Sequence, residues 1–437
     1  MEFSEFIQAH DGDDLGRLAL ARDRYLPAFP DFDLAITTLE CRRKLRTKVP
    51  EWYAVPSLRF PFRLSAEQCS SSETARYKAQ VAFLAAGPAK KAENVGATVI
   101  PDLGTDKNGQ KCRMAGQGGC LADLTGGLGV DSWAFAKLFD QVLYNEMRPE
   151  LAAATRHNLE ELGLDNITVR NGALGLQSVS QILEDFRPDV IYLDPARRAA
   201  DGRKVFRLED CQPDVLRLLP ELLAACPHLL LKLSPMADIT LVCKQLGCVR
   251  EVHVVAADGE CKELLLLLER GHEGPYAVTV YESGAVMQLD QVQVSVDQVQ
   301  GISGQRVFGP GNGLPEPGKL LFEPGKGMMK AGAFGWPCQY GLEKLGRHTH
   351  LYVGEAVPEE LKPFGKTFQI VEVLPLNKLS FKELGKRYPR AEVSAHNIPL
   401  TADELRAKLG VGSGGEVHIF GAHQDQPAQN LLLVAGI

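Results

Sequence analysis

The sequence predicts an α/β protein, an open and mainly parallel sheet preceded by a helical region and followed by C-terminal α+β modules. Three observations carry this prediction. Between residues 120 and 269, short apolar runs alternate with amphipathic helical stretches, as when strands are covered on both faces by crossover helices. The first hundred residues instead show helical periodicity broken by prolines. After Pro275 a Gly/Pro-rich stretch leads into a second, shorter alternation. The expected divisions are 1–100 (helical), 101–272 (the sheet domain), 273–365 (a small α+β segment) and 366–437 (a terminal α+β domain).

Taken in order, Phe3–Ala9, Asp14–Arg24 and Leu34–Arg46 read as helices, ended by a break through Pro50, Pro56 and Pro61. Ser70-Ser71-Ser72 offers hydroxyls for the unpaired N–H groups of a helix from about Glu73 to Ala86. Residues 101–119, rich in Gly, Asp and Lys, read as a linker or long surface loop. The alternation then runs strand Cys120–Leu124, helix Asp131–Leu138, strand Gln141–Tyr144, helix Pro149–Leu162, strand Ile167–Arg170 and helix Val179–Phe186. Strand Val190–Leu193, helix Pro213–Ala225, strand His228–Lys232 and helix Ile239–Leu246 continue it. Two last strands, Arg250–Ala256 and Lys262–Glu269, flank Asp258-Gly259, a dipeptide that tolerates the positive φ angles of a tight hairpin. The sheet should therefore end in an antiparallel strand, unlike a dehydrogenase nucleotide-binding domain.

Beyond it, residues 276–300 read as a small strand pair around Glu282-Ser283-Gly284, and Val307–Gly327 as irregular chain. Strand Leu320–Phe322, a helix from about Gly327 to Leu345 and strand Thr349–Val353 follow. From Lys366 the tail reads as a strand, helix Ser380–Tyr388, strand Ala391–His396, helix Thr401–Leu409 and strands Glu416–Ala422 and Asn430–Val434. Thr401-Ala-Asp-Glu404 is a capping box for the second of these helices.

Composition excludes whole classes. The 45% hydrophobic and 24% charged fractions rule out a disordered or coiled-coil chain. The opening Met-Glu-Phe-Ser-Glu-Phe-Ile lacks the apolar core of a signal peptide, and the longest apolar run, Leu264–Leu268, is far too short to span a bilayer. Ten scattered cysteines without a Cys-x-x-Cys pair predict reduced thiols and a cytoplasmic protein. With 48 basic and 55 acidic residues the net charge is −7, which confines nucleic-acid contacts to local basic patches.

The strongest motif is Asp123-Leu-Thr-Gly-Gly-Leu-Gly129, set between a strand and a helix. Glycines there let the backbone approach a ligand, and the helix N-terminus offers N–H groups. A Gly-rich turn alone can be no more than a tight turn. Glu146, about twenty residues on at the end of the next strand, suits the two hydroxyls of a ribose. The turn lacks Gly-Lys-Ser/Thr, so it is no Walker loop, and Asp123 suits a cationic group such as an amino-acid ammonium. The second motif is Asp194-Pro195-Ala196-Arg197-Arg198, at the carboxyl end of the fourth strand, where ligands of open α/β sheets bind. His348 and His350 flank one threonine with no third ligand nearby, so no metal site is expected.

Over residues 120–270 the chain resembles the class I S-adenosylmethionine-dependent methyltransferases, whose seven-stranded sheet ends in the same antiparallel hairpin strand. The resemblance implies that Asp123, Thr125, Gly126, Gly127 and Gly129 hold the methionine moiety of the cofactor, S-adenosylmethionine. It implies that Glu146 binds the ribose, Met147 packs on the adenine, and Gly172 and Ala173 lie near the adenine amino group. Asp194, Pro195, Ala196 and Arg197 match the Asp/Asn-Pro-Pro-Tyr/Phe motif of nucleic-acid N-methyltransferases, which implies a catalytic role. There are two departures. Ala173 replaces the usual Asp, and Arg197 the base-stacking aromatic, although an arginine plane can also stack on a base. Arg197 is also reminiscent of pyrimidine-C5 RNA methyltransferases, but Lys232-Leu-Ser-Pro235 supplies no cysteine nucleophile at the end of the fifth strand.

The flanks, Glu40–Pro50, Glu67–Lys78, Leu321–Pro324 and Lys330–Phe334, resemble a bacterial group of such enzymes with a ferredoxin-like segment and a C-terminal THUMP-like domain. The THUMP-like resemblance implies an RNA partner, tRNA favoured, methylated at nitrogen or oxygen. Basic residues agree: Arg198, Arg203, Lys204 and Arg207 crowd the loop after the second motif, where they can neutralise phosphates. Arg42, Arg43, Lys44, Arg46 and Lys48 form another basic run, equally readable as a solvated face. The rival readings are a methyltransferase acting on a protein or small molecule, and a catalytically silent RNA-binding protein that keeps the fold.

Overall fold

The computed structural model describes residues 2–87, 118–197, 208–289 and 315–436. Residues 101–117 of the predicted 101–119 loop, residues 290–314 and the basic residues Arg198, Arg203, Lys204 and Arg207 lie outside the described residues. The chain forms two compact units, Met1–Val252 with Leu264–Pro275, and His253–Glu263 with Tyr276–Ile437.

The first unit opens with helices α1 (Phe3–His10), α2 (Leu15–Leu20), α3 (Arg22–Tyr25), α4 (Phe32–Lys48), α5 (Pro50–Tyr53), α6 (Arg63–Gln68) and α7 (Ser72–Ala85). The single helix expected over Asp14–Arg24 is two short ones meeting at Ala21. Ser71 is the N-cap of α7, its hydroxyl accepting from Thr74 N–H. Phe3, Phe6 and Phe29 pack into one apolar cluster with Phe32, Ala35, Ile36 and Leu39 of α4.

Seven strands follow: β1 (Cys120–Asp123), β2 (Gln141–Glu146), β3 (Ile167–Asn171), β4 (Val190–Leu193), β5 (His228–Leu233), β6 (Val249–Ala257) and β7 (Glu260–Glu269). Their order is β3-β2-β1-β4-β5-β7-β6. The pairs β2–β3, β1–β2, β1–β4 and β4–β5 are parallel, and β7 runs antiparallel to β5. Asp258 and Gly259 turn the β6–β7 hairpin with φ of +54° and +73°. All of β4 is buried, which explains why it reads as an unbroken apolar run rather than an alternation. The crossover helices are α8 (Val130–Phe135), α9 (Pro149–Glu161), α10 (Val179–Leu183), α11 (Val215–Ala225) and α12 (Ile239–Leu246).

In the second unit, β8 (Ala277–Glu282) and β9 (Ala285–Leu289) follow β6 in strand order, two strands beyond the seven predicted. A separate sheet contains β10 (Leu320–Pro324), β11 (Glu343–Lys344), β12 (Tyr352–Gly354), β13 (Gly365–Pro375), β14 (Glu392–His396), β15 (Val417–Asp425) and β16 (Ala428–Gly436). Its order is β11-β12-β10-β13-β16-β15-β14, so β10 pairs with β13 across position 365. The helices are α13 (Lys326–Ala331), α14 (Trp336–Gln339), α15 (Lys378–Arg387) and α16 (Ala402–Leu409). The long helix expected from Gly327 to Leu345 is not formed. Gly332 ends α13 in a left-handed conformation, and Pro337 starts the four-residue α14 afresh. Along β16, Leu431, Leu433 and Ala435 enter one apolar core while Leu432 and Val434 enter another, the period-two division of a strand covered on both faces. No described helix is long and apolar enough to cross a membrane.

Candidate active site

Parallel strands bring the carboxyl ends of β1, β2, β3, β4 and β5 to one side of the first unit. The turn after β1 is braced from beneath. Thr125 N–H donates to Asp123 Oδ1 at 3.2 Å, and the Ser132 hydroxyl donates to Oδ2 at 2.6 Å. Asp123 is fully buried. Burial pushes its carboxyl up to about 8, against the bonds from Ser132 and Thr125, while the charge of Asp131 adds to the rise. The expected direct contact between Asp123 and an ammonium therefore has no open face to use. The side chain looks into the turn that it shapes.

The three glycines differ in their surroundings. A Cβ on Gly126 would lie 2.1 Å from the Tyr144 ring, and one on Gly129 2.7 Å from Thr155. Both are demanded by packing. A Cβ on Gly127 would meet nothing nearer than Thr125 O at 3.9 Å, yet its φ is +53°. Gly127 is thus the glycine that faces open space, and its left-handed backbone aims an N–H at Glu146. That N–H donates to Glu146 Oε2 at 3.0 Å, and Arg148 N–H donates to Oε1 at 2.9 Å. Each carboxylate oxygen can accept a second bond, so the pair keeps capacity for two neighbouring hydroxyls. Next to it Met147 is exposed.

Asn145, on the opposite face of β2, donates to Leu124 O at 3.2 Å and Gly172 O at 3.0 Å, tying three strand ends together. Asn171 Nδ2 donates to Glu146 O at 2.7 Å. Gly172 N–H also donates to Glu146 O at 3.2 Å, so the chain after β3 passes beside Glu146. Across the crevice, Asp194 N–H donates to Thr125 Oγ1 at 2.6 Å. One threonine thus links the glycine turn to the Asp-Pro-Ala-Arg motif, and Asp194, Pro195 and Ala196 join the same strand-end group. Arg197 pairs through its backbone with Cys211.

Sequence reasoning missed two lysines. Lys232 Nζ donates to Asp194 Oδ2 at 2.5 Å. Lys78, on α7, is fully buried, with its Nζ 3.0 Å from Asp131 Oδ1 and 2.5 Å from Ser70 Oγ. Asp131 also accepts from Ser70 at 3.0 Å and from Tyr192 at 2.9 Å. Burial would raise the Asp131 carboxyl, but the charges of Lys78 and Lys232 more than offset this and hold it low. A faint signal existed in each case: a lysine inside the apolar run of β5, and another on the alanine- and valine-lined face of α7.

The basic run of α4 is largely bonded within the chain. Arg42 is buried, contacts Asp11 at 3.4 Å and lies over the Tyr53 ring at 4.6 Å. Arg43 donates to Asp13 O, Lys44 pairs with Glu67, and Lys48 donates to Glu67 O.

Comparisons with known proteins agree with this fold. Residues 320–361 match a ferredoxin-like domain family, and residues 365–436 a THUMP domain-like family. The crystal structure of a candidate methyltransferase from Porphyromonas gingivalis W83 is 29% identical, covers 99% of this chain and 97% of its own, and superposes with a TM-score of 0.76. An uncharacterized RNA methyltransferase of Protochlamydia amoebophila is 34% identical over 88 residues, 20% of this chain. An uncharacterized S-adenosylmethionine-dependent methyltransferase of Mycobacterium tuberculosis is 29% identical over 154 residues, 35% of this chain. The matches span 19% and 39% of those two relatives' own lengths. By its strand order and glycine turn the sheet domain has the fold of the class I S-adenosylmethionine-dependent methyltransferases, and it is followed by segments that match ferredoxin-like and THUMP domain-like families.

Proposed function

We propose that this protein is an S-adenosylmethionine-dependent methyltransferase that acts on RNA, with tRNA the favoured substrate, in the cytoplasm. The observation that carries the reading is the shared crevice. Gly127 opens toward the space that Glu146 borders, and Thr125 ties that turn to Asp194. The RNA methyltransferase relative and the THUMP-like segment support RNA as the acceptor.

The residues fit the cofactor. Glu146 keeps capacity for the ribose hydroxyls, Met147 offers an apolar cover for the adenine, and Gly172 and Ala173 border the same space. Bound S-adenosylmethionine supplies an electrophilic methyl group. The chain supplies position: Gly127 leaves room for the methionine moiety, and Asp194, held through its backbone by Thr125, orients the acceptor. Alignment of this kind accounts for much of the acceleration in such reactions. Arg198, Arg203, Lys204 and Arg207 would neutralise the phosphates flanking the acceptor, which must leave its stack to reach the methyl group.

The test combines calorimetry with S-adenosylhomocysteine and incubation of the full chain with methyl-labelled cofactor and fractionated cellular RNA. Binding together with label in an RNA fraction supports the reading. Label only in protein or small molecules moves the substrate class, and RNA binding without turnover points to the silent alternative.

A further inference from the structure

Lys232 is the penultimate residue of β5, beside Asp194 at the carboxyl ends of the parallel strands. Its side chain is only 14% exposed and its Nζ lies 2.5 Å from Asp194 Oδ2. Burying an ammonium is costly even when it is paired, so its presence there calls for a use. Charges of both signs surround it: the carboxylates of Asp131 and Asp194, and the ammonium groups of Lys48 and Lys78. Burial holds the Lys48 ammonium below the usual lysine range, and the charges of Lys232 and Lys78 push the same way. Asp194 is the carboxylate that Lys232 grips at this strand end.

This arrangement suits one class of acceptor. A neutral exocyclic amine attacks with its lone pair and becomes cationic, so an adjacent ammonium opposes the transfer. A hydroxyl gains nucleophilicity as it loses its proton, and the charge that builds on its oxygen is stabilised by an ammonium. The sequence agrees, because Ala196 and Arg197 stand where amine-methylating relatives carry proline and a stacking aromatic.

We infer that Asp194 and Lys232 form the proton-handling pair for a hydroxyl acceptor, the ribose 2′-hydroxyl of RNA. This rests on the function proposed above. The acceptor oxygen forms its bond to the methyl carbon as the carbon–sulfur bond breaks, and the electron pair of that bond stays on sulfur as a neutral thioether. The hydroxyl proton passes to the Asp194 carboxylate and then to solvent. Lys232 remains protonated and donates to the developing oxyanion. No further reactant is required.

The test uses the full chain, methyl-labelled S-adenosylmethionine and unmodified tRNA and rRNA transcripts. Digestion should place the label in 2′-O-methyl nucleosides and in alkali-resistant dinucleotides, because a methylated 2′-oxygen cannot attack the adjacent phosphate. Lys232→Met should lower incorporation by roughly 10²-fold or more with S-adenosylhomocysteine affinity unchanged, and Lys232→Arg should restore part of it. A readout without substrate is lysine side-chain NMR. The Lys232 ammonium should exchange slowly in the wild type and faster in Asp194→Asn. Label in base-methylated nucleosides would overturn the inference and leave RNA methylation standing. No label in any transcript, with cofactor bound, overturns RNA methylation and this inference with it. An unimpaired Lys232→Met variant, or a Lys232 signal indifferent to Asp194→Asn, removes the pair.

Discussion

Gly126 and Gly127 are neighbours with opposite reasons to be glycine. A methyl group on Gly126 would enter the ring of Tyr144, whose hydroxyl is held by Gly127 O at 2.6 Å. Overpacking of this kind costs about 1–3 kcal/mol, so Gly126→Ala should lower the denaturation midpoint. Gly127→Ala meets open space and pays mainly for its positive φ, about 1–2 kcal/mol, so it should stay folded and weaken S-adenosylhomocysteine binding. Calorimetry on the two variants checks this, and equal affinity of Gly127→Ala and wild type would refute it. Asp123 yields a pH prediction. Its folded carboxyl, at about 8, holds a proton more tightly than the unfolded one near 3.8. The stability it contributes is therefore complete below about 3.8 and is lost as pH rises through about 8. Thermal midpoints of the cofactor-free protein should fall over that range, and Asp123→Asn should flatten the slope. A slope that the substitution leaves intact would place its source elsewhere.

The joint between α7 and α8 is a buried ion pair rather than a purely apolar seam. Lys78 from α7 meets Asp131 from α8, with Ser70 and Tyr192 completing the bonds to the carboxylate. Removing one partner of such a pair leaves an uncompensated buried charge and costs about 3–5 kcal/mol. Lys78→Met should lose about that much in urea denaturation, and Lys78→Met with Asp131→Asn should lose less than the sum of the single changes. Additive losses would mean that the two charges do not depend on each other. The aromatic contact beside this joint, Trp52 against Trp133 at 6.4 Å, brings α5 onto the same helix. The N-terminal helices thus build the back of the glycine turn, which their sequence alone gave no reason to expect.

At the scale of the whole molecule, the terminal module raises the question of RNA contact. Lys382 and Lys386 are exposed on α15, whereas Arg387 is paired with Glu372 and Glu383. If the two lysines each meet one phosphate of single-stranded RNA, Lys382→Glu with Lys386→Glu should flatten the salt dependence of binding by about 1.4 in slope, at roughly 0.7 per phosphate. Cofactor affinity should not change. An unaltered slope would take this face out of RNA binding. Point substitutions suit this test better than truncation at 366, because β13 supplies the partner of β10 across that position.

The sheet domain was legible because its signals are local. Apolar runs, Asp258-Gly259 and the capping serines each act within a few residues, and the strands and hairpin of residues 120–269 follow them. The strand-end positions of Glu146 and Asp194 were legible for the same reason, since strand ends next to glycine or proline turns announce themselves in sequence. The predicted helix from Gly327 failed because Gly332 and Pro337 outweighed its periodicity. Only tertiary structure decided which glycine faces the crevice, that Asp123 turns inward, and that Lys78 and Lys232 meet Asp131 and Asp194. Those facts depend on side chains brought together from 38 to more than 50 positions apart, and burial in the folded interior sets their electrostatics, which no local pattern records.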